Sequence, residues 1–310
     1  MLFALAVAIF PAKSESEKLK IVATTGMIAD AASRIGGDLV EVTALMGPGV
    51  DPHSYRQTRS DIVAMTRADL VLWHGLYLEA QMEEFLNKLA NTRNVVAVAE
   101  SLPEILLIGH DDYEDKKDPH IWMDPKLWSM VMPAISAALT SVQPESKAGF
   151  AANAEQFQKE LEELADYGKR ALSTVEPQSR FLVTAHDAFN YFGTAHDFEV
   201  IGIQGISTES EAGINRMSEL VDLLVDRQVG AVFVESSVSD RNIRALIEGA
   251  AARGHEVKIG GELFSDAMGV PGSYEGTYLG MLDHNFTTIT SALGGDVPAK
   301  GMSGMLSPES

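Results

Sequence analysis

Short apolar runs rich in β-branched residues alternate along this chain with longer stretches of helical periodicity. Residues 19–24, 39–45, 69–73 and 94–98 read as strands, and residues 26–35 between the first two read as a helix. A second series follows at 180–184, 200–203, 230–234 and 256–259. Short buried strands that alternate with helices predict parallel α/β sheets. Between the two series the pattern changes. Phe150, Phe157, Leu161 and Leu164 recur at spacings of seven, four and three, so one face of a helix is apolar. Pro144 suits its first turn and Pro177 marks its end. A helix of roughly thirty residues would extend about 45 Å, enough to traverse two domains. The predicted fold class is therefore α/β: two α/β lobes with parallel sheets, joined by one long rigid helix. The expected boundaries are 18–143 for the first lobe, 144–176 for the connecting helix and 177–310 for the second lobe.

At 310 residues, two domains are the expectation from length as well. Residues 2–10 form an apolar run too short to span a bilayer, followed by polar residues 13–18. This fits a secretory signal at 1–14; the basic segment that usually opens one is missing, so the leader is read as truncated. Lys and Arg number 24 against 44 acidic residues, a net charge of −20. That balance disfavours nucleic acid and anionic membrane surfaces, whose binding draws on cationic patches. Cysteine is absent, so there is no disulfide, thiolate metal site, cysteine nucleophile or lipid-modified cysteine. A soluble periplasmic protein is expected, and any metal site must be built from His, Asp and Glu.

Such residues stand at the ends of the predicted strands. Asp51-Pro52-His53 and Asp118-Pro119-His120 are one tripeptide written twice, 67 positions apart (120 − 53). Each proline stiffens the loop that presents its histidine, and each aspartate is placed to cap a helix or hold the ring nitrogen facing away from a metal. His186 follows the 180–184 strand almost directly, and Asp266 lies beyond the 256–259 strand. In open parallel sheets, ligands bind outside the carboxyl ends of the strands, so two donors from each half would meet in the cleft between them. By spacing alone Asp266 is as readily a helix cap, and Glu235 and Glu262 are rival carboxylates. The remaining histidines read differently: His196 as structural, late on a helix; His110 as part of a solvated acidic loop; His74, His255 and His284 as surface or packing residues.

Around these positions the chain resembles the periplasmic solute-binding proteins of zinc and manganese ABC transporters, a family that includes metal-binding adhesins. The matching segments are residues 49–55, 118–125, 184–192 and 263–266, in family order. The resemblance implies two α/β lobes joined by a rigid helix, with one metal ion held between them by His53, His120, His186 and Asp266. It also implies capture of Zn²⁺ or Mn²⁺ as cargo, one ion per chain, for delivery to a membrane permease. A monomer is expected. Zinc-specialised members often carry a His-rich loop before the second ligand, and here only His110 and several acids stand there. Many manganese members have Glu where this chain has His186.

Three imidazoles and a carboxylate suit tetrahedral Zn²⁺, whereas a bidentate Asp266 would raise coordination and admit Mn²⁺. Zinc is the stronger binder at such a site. Because ligating imidazoles are neutral, affinity is expected to fall below about pH 6.5. The alternatives are a zinc-dependent hydrolase using the same ligands and an adhesion protein with a structural metal. Catalytic zinc usually keeps three protein ligands and an open water position; a fourth protein ligand argues against chemistry. The sequence has no Gly-x-Ser-x-Gly elbow, no phosphate-binding Gly-x-x-x-x-Gly-Lys-Ser/Thr loop and no His-Glu-x-x-His helix. The chain is therefore expected not to be an enzyme.

Overall fold

The computed structural model describes residues 17–110 and 113–307. The expected signal segment at 1–14 lies outside them, as do Asp111 and Asp112 of the acidic loop. The first half builds on strands β1 (Leu19–Ala23), β2 (Val40–Ala44), β3 (Leu70–Trp73) and β4 (Val95–Ala97), all parallel in the order β2-β1-β3-β4. Alternation sets the two faces of this sheet. Ile21, Ala23, Leu70 and Leu72 join one buried cluster, while Val22, Val71 and Trp73 join another on the opposite face. Helix α1 (Gly26–Gly36) covers the first face with Met27, Ile28, Ala31, Ala32 and Ile35. Helices α2 (Arg59–Arg67) and α3 (Glu83–Ala90) bring Met65, Leu86 and Leu89 to the second. Thr58 and Asp61 cap α2 reciprocally, each side chain accepting from the other's backbone N–H.

Short helix α4 (Pro125–Ser129) and α5 (Met132–Val142) lead to the connecting helix α6 (Lys147–Leu172). At 26 residues α6 is shorter than the expected element and spans about 39 Å. Its prolines sit just outside it, opening 3-10 turns at Pro144–Ser146 and Pro177–Ser179. The predicted stripe is buried, and Ala154, Tyr167 and Ala171 extend it.

The second half places β5 (Phe181–Thr184) parallel to β6 (Glu199–Gly202), and β7 (Ala231–Glu235) parallel to β8 (Lys258–Leu263), with β5 beside β7. The spatial sequence β6-β5-β7-β8 thus repeats that of the first sheet. Between the strands run α7 (Asn190–His196), α8 (Ile214–Asp226) and α9 (Arg241–Ala252), and α10 (Tyr278–Ala292) follows β8. Strand β8 runs past the 256–259 segment expected from sequence. Its Gly260 and Gly261 hide the strand signal and accompany a register shift opposite Val232 and Phe233.

The main core crosses the boundary between the halves. Leu182, Phe233 and Leu263 belong to the same buried cluster as α1, α6 and α10. Gly168 of α6 lets α10 approach closely, since a Cβ there would stand 2.6 Å from the buried Phe286 ring. Two lobes that share α6, α10 and one continuous core have little freedom to swing as separate bodies.

Candidate metal centre

All four sequence-predicted donors come together. His53, His120, His186 and Asp266 each offer a ligand atom, those atoms lie within 4.8 Å of one another, and all four residues are buried. His53 Nε2 stands 3.2 Å from His120 Nε2. Asp266 Oδ1 stands 3.4 Å from His120 Nε2, and Oδ2 stands 3.2 Å from His186 Nε2. Four donors around a zinc ion with bonds near 2.0–2.1 Å would be about 3.3 Å apart. Beyond those ion-pair contacts, two of the atoms, His186 Nε2 and Asp266 Oδ1, are buried with no hydrogen-bond partner among the described residues. Buried polar atoms normally have one, so a cation among these four satisfies groups that the protein leaves open.

Each donor is held from behind. His120 begins a 3-10 turn at Ile121–Met123. Asp118 Oδ1 accepts from its backbone N–H at 3.0 Å and lies 2.7 Å from its ring Nδ1. Asp118 is tied in turn to the second half: its Oδ2 accepts from Asn190 Nδ2 at 3.1 Å and its carbonyl from Tyr191 Oη at 2.8 Å. For His186, Glu235 at the end of β7 does both jobs, with Oε1 accepting from the backbone N–H at 2.9 Å and Oε2 standing 2.5 Å from Nδ1. Nδ1–H bonds to carboxylates leave Nε2 free to ligate. Asp51 behaves differently. Its Oδ1 accepts from the His53 backbone N–H at 2.9 Å, not from the ring, and its Oδ2 accepts from Ser54 Oγ at 2.9 Å. The duplicated tripeptide therefore performs two different tasks.

Electrostatics follow from burial and neighbours. Burial pulls His120 down, but the Asp118 carboxylate, helped by Asp266, more than offsets it and pushes the ring up to about 9. Burial likewise opposes charge on His186, and Asp266 and Glu235 overcome it, holding His186 well above the usual imidazole range. Burial acts to raise Asp266, yet His186 and His120 keep it well below the ordinary carboxylate value. Burial pushes His53 well down; Asp266 opposes this, and the other histidines add to it. Without metal, the carboxylate and the His120 and His186 rings thus favour one another's charged forms.

Sequence reasoning missed several supports. Glu235, read as a rival ligand, stands behind His186, while Glu262 is exposed on β8. His74, for which no partner was evident, is buried at the end of β3; its Nε2 lies 2.7 Å from the Pro119 carbonyl oxygen and its ring packs against Trp122 and Trp128. The strand-end criterion that found His186 also picks out His74. His255 and His284 bond through Nε2 to the carbonyls of Val229 and Glu262. His110 corrects an expectation: it is buried, with its ring against Tyr113, rather than solvated. His196 ends α7 between Phe192 and Phe286, a packing role as expected. From the second half, Trp122 Nε1 finds the Ser265 carbonyl at 2.8 Å, beside Asp266.

Comparison with known proteins agrees with this architecture. The chain is 46% identical over 281 residues to the manganese-binding lipoprotein MntA of Bacillus subtilis (strain 168), covering 91% of this chain and 92% of MntA. It is 45% identical over 273 residues to the zinc-binding protein TroA of Treponema pallidum (strain Nichols), covering 88% of each. The solved structure of the periplasmic zinc-binding TroA superposes with a TM-score of 0.87 at 45% identity, covering 89% of this chain and 99% of that one. Residues 21–292 match the family described as zinc-uptake complex component A, periplasmic, and the chain belongs to that family.

Proposed function

We propose that this protein captures one divalent transition-metal ion, zinc or manganese, through His53, His120, His186 and Asp266, and delivers it to an ABC-transporter permease. The observation that carries this reading is the buried set of four converging donors, in which His186 Nε2 and Asp266 Oδ1 have no hydrogen-bond partner among the described residues. Four protein donors leave no open position for an activated water, which favours binding over hydrolysis. Glutamate and aspartate behind two of the rings raise the basicity of the donors, as a tight site requires. Zinc is favoured by the donor set and the affinity order of divalent metals, and a bidentate Asp266 accommodates manganese. Similarity to MntA and TroA, one named for each metal, supports this pair of cargoes.

The same reading assigns 1–14 to an export signal, 18–143 and 177–310 to the two lobes and 144–176 to the connector, and places the protein in the periplasm as a monomer. The adhesion alternative with a structural metal predicts unfolding on metal removal, whereas the core shared through α6 and α10 favours a folded metal-free state. Elemental analysis of protein taken from its native compartment tests the cargo, with about one zinc or manganese per chain expected. His120→Ala should abolish that content; full occupancy in this variant rejects the site.

A further inference from the structure

Three of the four donors are backed by fully buried bonds: His120 by Asp118, His186 by Glu235, and the Asp266 loop by the Trp122–Ser265 bond. His53 is the exception. Its loop is ordered by Asp51, which is only half-buried, and Asp51 is gripped from the opposite lobe. The Thr208 hydroxyl donates to Asp51 Oδ2 at 2.6 Å.

Thr208 belongs to an arch that follows β6 and is hydrogen-bonded to the loop carrying His186. Gln204 N–H donates to the Ala185 carbonyl at 3.0 Å, Asp187 N–H donates to the Gly205 carbonyl at 3.3 Å, and Gln204 Nε2 closes the arch on the Ser210 carbonyl at 3.2 Å. A second contact from the same arch joins Glu209 to Gln81 of the first lobe. The arch therefore links the loops of two donors, His186 and His53, that approach the centre from opposite lobes. A half-buried hydrogen bond is open to competition from water, so it yields before the buried ones.

We propose that Thr208 is a positioning residue for His53: its bond to Asp51 fixes the His53 loop, and breaking that bond is the step that sets how long the metal stays. This inference rests on the metal-capture reading above. Thr208→Val removes the hydroxyl and keeps the branched shape, while Thr208→Ser keeps the hydroxyl. Protein loaded with Zn²⁺ or with Mn²⁺ is mixed with excess chelator and the release rate is recorded by stopped flow, alongside the association rate. Thr208→Val should release metal about tenfold faster, the equivalent of about 1.4 kcal/mol, with association changed far less. Thr208→Ser should stay within about twofold of the parent, since a hydroxyl bond to a carboxylate is retained. Parent-like release from Thr208→Val overturns the inference, as does Thr208→Ser releasing as fast as Thr208→Val. Parent protein that takes up neither metal overturns the metal-capture reading and this inference together, whereas metal-loaded parent with an unaltered Thr208→Val overturns this inference alone.

Discussion

Replacing Glu235 by glutamine probes how the centre keeps one histidine ready to ligate. Glu235 is 4% exposed and receives two donors from His186, the backbone N–H at 2.9 Å and Nδ1 at 2.5 Å. Glutamine nearly preserves the volume but offers one carbonyl oxygen and one amide NH₂. If the carbonyl takes the backbone N–H, the NH₂ faces Nδ1, which must become an acceptor. The ring proton then moves to Nε2, the atom 3.2 Å from Asp266, and blocks ligation. If the carbonyl takes Nδ1–H instead, the NH₂ meets the backbone N–H and a buried donor is left unpaired, at a cost of about 1–3 kcal/mol. Losing such a support typically weakens metal binding about 10–100-fold, or about 1.4–2.7 kcal/mol. A second effect opposes this at lower pH. Glu235 helps hold His186 above its usual value, so the variant also carries less of the proton that metal must displace. The loss should therefore be larger at pH 8.5 than at pH 6.5. Competition titrations against a chelating indicator at both values, for Zn²⁺ and Mn²⁺, measure it. Affinity within twofold of the parent at both pH values would refute the tautomer reasoning.

The pH dependence of binding itself should lie higher than free histidine suggests. With His120 pushed up to about 9 and His186 also raised, binding must expel protons, so affinity should climb by about tenfold per pH unit for each proton released, from pH 6.5 towards 9. Calorimetry in buffers of different ionisation enthalpy counts those protons, and a count of zero contradicts the assignment. The metal-free fold should run the other way. A raised histidine stabilises below its unfolded value near 6.5, and that contribution is lost as pH rises through the folded value. Buried Glu79, pushed up to about 7 by burial, adds a loss as pH rises towards that value. Thermal midpoints of metal-free protein should therefore drop from pH 6.5 to 9, and a rise would exclude this balance of charges. Gly168→Ala gains about 1 kcal/mol of helix propensity but forces a methyl against Phe286, where overpacking costs about 1–3 kcal/mol. Net destabilisation by denaturant titration is expected, and a stabilised variant would show that α6 and α10 can separate freely.

Much was legible before any coordinates. Strands β3, β5 and β7 announced themselves as apolar runs because parallel strands covered on both faces tolerate few polar residues. The alternation of Leu70, Val71, Leu72 and Trp73 between two cores was invisible for the same reason, since every position is apolar. Strand β8 was cut short because two glycines break its pattern. His186 was readable because it stands just beyond a strand end, where the backbone leaves the sheet, and His53 and His120 because their tripeptide is duplicated.

Residue order alone marked His53, His120 and His186 as candidate donors, and the family resemblance added Asp266 over its rivals Glu235 and Glu262. Only the tertiary structure decided their partners. Asp51 and Asp118 sit in identical tripeptides, yet one reaches Thr208 across the cleft and the other grips its own histidine ring. Glu235 and Glu262 both belong to strands, yet one is buried behind His186 and the other is exposed. Local sequence fixes where a side chain starts and which way its backbone turns. What it meets depends on distant segments, 49 residues away for Glu235 and His186 and 157 for Asp51 and Thr208, brought near by a core that spans both lobes.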